Sequence, residues 1–242
     1  MDLTNKIEKM AKQQGVTYFG VANLSKMHDF ILEQGGPIVT KFPISISLGI
    51  TLPMAIVDQL PGRSDRAVAF SYKHHAYDII NQRLDSVASF LSLFIQEKGY
   101  KVLPIPASII VDDERLCGSF SHKLGAHLAG LGWIGKSCLI ITPKDGPRVR
   151  WATILTDLPL NFDNNKLLPE QCGKCTECVD ICPVKAFTGR RFNESEPREM
   201  RYNVKKCNDY FNAMKKSSWI FLLRMPTITR STRFRSHTCS FL

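Results

Sequence analysis

No uninterrupted apolar run in this 242-residue sequence approaches the roughly 20 residues that a bilayer-spanning helix requires. The first twenty residues, MDLTNKIEKMAKQQGVTYFG, are an amphipathic mix without the apolar centre of an export signal. The chain is therefore expected to be made and kept in a reducing cytoplasm, where structural disulfides are not the first reading of a cysteine. Internal repeats are absent apart from the cysteine spacing. Acidic residues are missing from Met214 to the end, a stretch of 29 residues carrying six Lys or Arg, so six of the ten formal positive charges sit in this tail. The rest of the chain is only mildly basic, which permits a polyanion such as RNA as partner without requiring one.

At 44% hydrophobic and 22% charged residues, the composition is that of an ordinary folded protein, long enough for one substantial core and a small second module. Thr4 is expected to cap a short helix ending at Gly15, YFGVANL to form a strand, and Ser25 to cap a second helix ending near Gly35 and Gly36. ISISLGITL (44–52) reads as a buried strand stopped by Pro53. The longest helix is expected from about His74 to Lys98, because Tyr77, Ile80, Leu84, Val87, Leu91 and Phe94 recur at helical spacing. YKVLPI follows as a strand and residues 119–131 as a helix. CLIIT and RVRWATILT are expected to pair as a hairpin through the turn sequence PKDG. The polar stretch NFDNNKLLPEQ marks a boundary between Leu160 and Cys172. These readings give an α+β body over residues 1–160, a ferredoxin-like module over 161–213 and a basic tail over 214–242, expected to be disordered.

The chemistry concentrates in CGKCTECVDICP (172–183). Thiols at i, i+3 and i+6 can converge on a small volume if the chain turns tightly, as a cubic four-iron cluster requires. A structural zinc site usually asks for two ligand pairs separated by a longer loop, and disulfides between cysteines this close would be strained. In the run CxxCxxCxxxCP, three cysteines hold one cluster and the fourth reaches across to another. Cys172, Cys175, Cys178 and Cys182 are thus read as cluster ligands, with zinc or inert thiols as the alternatives. Cys117 and Cys138 are read as small core residues.

LAGLGWIGKSCLIITPKDGPRVRWATILTDLPL (128–160), followed after a short linker by the cysteine run, resembles the epoxyqueuosine reductases, cobalamin-dependent iron–sulfur enzymes related to reductive dehalogenases. The resemblance implies a nitroreductase-like, cobalamin-binding body, clusters of the 4Fe–4S type feeding electrons to the corrinoid, an electron donor protein, and a modified tRNA nucleotide as substrate. It also implies that Gly132, Trp133, Gly135 and Lys136 form a turn in contact with the corrinoid, against the plainer reading of a helix cap followed by a tight turn with Trp133 buried. Cys207 matches the first cysteine of the family's downstream set.

Two departures bear on activity. Where the family carries an aspartate after the strand corresponding to YKVLPI, this chain has IPAS (105–108), and proline or alanine cannot serve as a general acid. Asp112, Asp113 and Glu114 lie nearby but read as a solvated turn; YKHHAYD (72–78) offers His74, His75 and Tyr77 in a different register from the family's Tyr-His pair. Downstream of Cys207 only Cys239 remains, so six candidate thiols face the eight that two clusters would need. The change to an acid-free tail after Ser218 is expected to reflect a shifted or truncated reading frame. An iron–sulfur oxidoreductase is the first reading of function, with a non-catalytic electron carrier as the alternative.

Overall fold

The computed structural model describes residues 2–162 and 166–222, with side chains through residue 213. Along the chain the elements are α1 (Leu3–Gln13), β1 (Tyr18–Asn23), α2 (His28–Val39), β2 (Ile44–Thr51), α3 (Met54–Val57), α4 (Arg66–Tyr72), α5 (Ile80–Glu97), β3 (Val102–Ile105), α6 (His122–Leu128), β4 (Trp133–Ile134), β5 (Ile140–Ile141), β6 (Val149–Thr156), α7 (Glu177–Asp180) and α8 (Val204–Leu222).

The two-residue period of β2 decides what covers each face of the main sheet. Ile44, Ile46, Leu48 and Ile50 point one way and pack with Ile7 and Ala11 of α1 and with Leu84, Leu91 and Ile95 of α5. Ser45, Ser47 and Gly49 point the other way, and their small size lets α6 approach closely: a Cβ on Gly125 would lie 2.9 Å from Ser47 Oγ. Leu155 packs on this second face with Ile31, Phe120 and Leu124. The sheet order is β1-β2-β6-β3, with every neighbouring pair antiparallel. Helices therefore cover both faces of a four-stranded sheet, a mixed helix-and-sheet architecture of the α+β class.

Several local expectations are corrected. The long helical stretch starts at Arg66, not His74, because Asp65 caps it by accepting a hydrogen bond from Ala67 N at 2.7 Å. It then passes through a π-helical segment, Lys73–Ile79, before continuing as α5. Thr4 lies inside α1; its hydroxyl accepts a hydrogen bond from Asn161 N at 2.9 Å and so ties the chain leaving the body to the first helix. Gly36, at φ 74°, kinks α2 without ending it, and Pro37 opens the next turn, where its missing N–H costs nothing.

The hairpin expected between CLIIT and RVRWATILT does not form. β5 pairs backwards with β4, and β6 enters the main sheet between β2 and β3. Turn chemistry explains the divergence. Asp145, 8% exposed, accepts hydrogen bonds from Tyr18 Oη at 2.6 Å and Thr51 Oγ1 at 3.0 Å, which fastens the PKDG turn to β1 and β2. Among the described residues, Leu160 is the last buried one before Cys182. α8 runs through Leu222, past Met214, where a disordered tail was expected; residues 223–242 lie outside those described.

Candidate metal centre

The β4–β5 hairpin carries the glycine-rich turn. Gly135 N donates to Leu139 O and Cys138 N to Gly135 O, both at 2.9 Å, which closes a tip formed by Gly135, Lys136, Ser137 and Cys138. Cys138 takes φ +57°, the left-handed region that side chains other than glycine seldom adopt. Gly132 has a packing reason to be glycine, since a Cβ there would stand 2.4 Å from Ile141 O. Trp133 Nε1 is buried with no hydrogen-bond partner among the described residues.

This tip meets the cysteine loop. Lys136 is 7% exposed, and its Nζ donates to Gly173 O at 2.8 Å and to Cys175 O at 2.9 Å. A Cβ placed on Gly135 would lie 3.4 Å from Cys172 Sγ. The loop itself turns tightly. Cys175 N donates to Cys172 O at 2.8 Å, Gly173 supplies φ +51°, and Glu170 Oε1 accepts from Cys172 N at 2.7 Å. The short α7 follows and carries Cys178. Burial first, then the neighbouring Cys172 and Cys175 sulfurs, push the Cys178 thiol above its ordinary range.

Cys182 takes a different direction. It packs with Cys138, Ala186, Tyr202 and Cys207, and its Sγ accepts a hydrogen bond from Ala186 N at 3.3 Å. Cys182 thus lies beside Cys207, in a cluster that Cys172, Cys175 and Cys178 do not join. Cys138, read from sequence as a core residue, is buried in this same cluster. Cys207 is disulfide-bonded, whereas Cys117, Cys138 and the four cysteines of the run are free.

Among the described residues, no three His, Cys, Asp or Glu side chains are arranged to hold a single metal ion. Thiolates on one tetrahedral zinc would stand about 3.8 Å apart, from Zn–S bonds of about 2.3 Å. In a four-iron cube each thiolate takes its own iron, so the cube suits a wider sulfur arrangement. The donor set, all cysteine with one side open to solvent at Cys175, fits a cluster of this kind. The glycine-rich turn, by contrast, does not fit a corrinoid as it stands: Lys136 is engaged with the cysteine loop and Gly132 with Ile141.

The other sequence candidates lie apart from the sulfurs. Asp112 is a turn residue, its Oδ1 accepting from Glu114 N at 3.0 Å and Arg115 N at 2.8 Å, and Asp113 is exposed beside it. His74 is exposed, 3.5 Å from Asp78. His75 is half-buried in the π-helical segment, as is Tyr77, whose ring lies 4.4 Å beneath the Arg150 guanidinium. Helical spacing gave no sign of the π segment, which shifts these side chains by inserting an extra residue into the turn.

Two residues that sequence reasoning missed hold the IPAS segment. Asp85 Oδ1 accepts from Ala107 N at 2.7 Å, and burial raises its carboxyl above the usual range. His122 Nε2 donates to Pro106 O at 3.0 Å, which leaves Nδ1 to accept from the Thr153 hydroxyl at 2.8 Å. Burial lowers the His122 pKa to about 4. No local signal marks either role, because both partners are distant in sequence.

An α+β body bearing a four-cysteine module is the class of protein that this fold and site define, and residues 171–223 match the family described as "4Fe-4S double cluster binding domain". The chain resembles the epoxyqueuosine reductases: it is 44% identical over 70 residues to that of Bacillus cereus, covering 29% of this chain and 18% of the relative. Against the Pseudomonas aeruginosa enzyme it is 27% identical over 165 residues, covering 64% of this chain and 40% of the relative, so it spans well under half the length of these curated relatives. In fold it is similar to the epoxyqueuosine reductase from Streptococcus thermophilus, with a TM-score of 0.53, 18% identity, and coverage of 86% of this chain and 59% of that one.

Proposed function

We propose that the chain is an iron–sulfur oxidoreductase of the epoxyqueuosine reductase kind, acting in the cytoplasm on epoxyqueuosine in tRNA. The single observation that carries this reading is that the loop bearing Cys172, Cys175 and Cys178, fastened to the body by Lys136, lies in the segment that matches a double-cluster domain. A 4Fe–4S cluster, when bound there, supplies one-electron reduction. Cys172, Cys175 and Cys178 hold it; Cys182 lies beside Cys207, whose sulfur is engaged in a disulfide and is not free to ligate as the sequence suggested. The exposed Cys175 edge is where an electron donor protein docks.

On the body side, the neutral His122 and Asp85 fix the segment after β3 against α5 and β6. A nitroreductase-like body with cobalamin as electron acceptor is what the family resemblance implies. The positive balance of the chain suits a tRNA substrate.

The carrier reading is favoured by one feature, the absence of an acid from residues 105–108. A single experiment separates the two. Anaerobically reconstituted protein, reduced and supplied with cobalamin and an epoxyqueuosine-bearing tRNA stem-loop, is expected to yield queuosine by mass spectrometry. A cluster that reduces and reoxidises normally while no queuosine forms would establish the carrier.

A further inference from the structure

We propose that the tip of the β4–β5 hairpin is the seat of the first cluster, and that Lys136 is its positioning residue and charge partner. This rests on the iron–sulfur reading above and reassigns a turn that the family resemblance gives to the corrinoid. A buried ammonium is costly unless its donors and its charge are both answered. Two of the Lys136 N–H groups reach carbonyl oxygens of the cysteine loop, those of Gly173 and Cys175. No carboxylate pairs with it among the described residues. Two of the three donors are answered while the charge is not.

The missing counter-charge is what a thiolate-ligated cube brings. The carbonyls that Lys136 grips belong to Cys175 and to the residue after Cys172, and a Cβ on Gly135, next to Lys136, would lie 3.4 Å from Cys172 Sγ. The ammonium is thus held within the turn that carries two ligands, close to where negative charge accumulates on reduction. A fixed cation at that place favours the reduced cluster and raises its potential. The two carbonyl bonds also pin two peptide planes, so the loop is shaped before iron arrives. The near-absence of exposure matters for both effects, because water would otherwise screen the charge and compete for the carbonyls.

Charge and anchoring are separable by substitution. Lys136→Gln keeps amide donors and removes the charge; Lys136→Met removes both; Lys136→Arg keeps both in altered shape. Three readouts apply to each protein: iron and sulfide content after anaerobic reconstitution, the midpoint potential by spectroelectrochemistry, and hydrogen exchange of the 172–180 amides in the metal-free chain. Lys136→Gln is expected to load its cluster but show about tenfold less reduced form at a fixed potential, ~59 mV for a one-electron couple. Lys136→Met is expected to exchange those amides about tenfold faster and to load less iron, and Lys136→Arg to restore the potential. Unchanged potential in Lys136→Gln together with unchanged exchange in Lys136→Met would overturn the proposal. If the unmodified chain takes up no iron and sulfide, the functional reading fails on that arm alone, and the exchange arm still decides whether Lys136 clamps the loop.

Discussion

Within the body, Ile46, Leu48, Leu84, Leu91, Ile95 and Ile154 have no exposed surface, and each fully buried side chain of this size contributes about 1.5–3 kcal/mol. Between residues 171 and 213 the buried side chains are Cys182, Ala186, Arg201, Tyr202 and Cys207, and the only helix before α8 of more than a single 3₁₀ turn is the four-residue α7. One region is stabilised by apolar area; the other has too little of it and leans on contacts to its neighbour, which leaves ligand bonds a larger share of its proposed stabilisation. Those contacts are few and specific. Lys136 reaches the cysteine loop, Arg198 Nη2 donates to Arg115 O at 2.6 Å, and Phe192 packs edge-on to His127 at 5.6 Å. This contrast predicts that the body folds by itself and that the module is organised by its metal.

The strongest way to break this contrast is to remove a ligand. Cys178→Ala is expected to abolish the cluster's visible absorption and bound iron while leaving the main thermal transition of the body within about 0.5 kcal/mol of its original stability. Collapse of that transition would show that the two regions fold as one. The reciprocal change, Leu84→Ala at the α5–sheet contact, is expected to destabilise the body by about 2–5 kcal/mol in denaturant unfolding. Cluster loading under native conditions should survive it.

A smaller effect comes from pH. His122 has a folded pKa of about 4 against an ordinary 6.5. Between those values the unfolded chain binds a proton that the folded chain refuses, so stability falls as pH drops from 6.5 toward 4 and levels off below. The loss reaches about 3 kcal/mol at most. His122→Asn should flatten this part of the stability–pH curve, measured on metal-free protein; a curve of unchanged slope would remove His122 from the account.

The cysteine run was readable as a 4Fe–4S module because its information is local: the whole spacing lies within twelve residues. The alternation of β2 was readable for the same reason, since Ile44, Ile46, Leu48 and Ile50 against Ser45, Ser47 and Gly49 state both faces at once. Pairing was less accessible. CLIIT had two possible partners, and the choice of β4 over β6 depends on Asp145 being drawn to Tyr18 and Thr51, which lie over ninety residues away. Lys136 was singled out but given a different neighbour, because its partners are 37 and 39 residues downstream and no periodicity links them. Asp85 and His122 escaped notice because their hydrogen bonds go to backbone groups and a distant threonine.

The most direct test of the central claim is iron, acid-labile sulfide and zinc analysis of protein purified without oxygen, combined with its paramagnetic-resonance spectrum after reduction. The account predicts iron and sulfide in equal amounts with the signal of a reduced 4Fe–4S cluster, lost in Cys178→Ala. Zinc without sulfide, or a metal-free chain that stays metal-free on reconstitution, would contradict it.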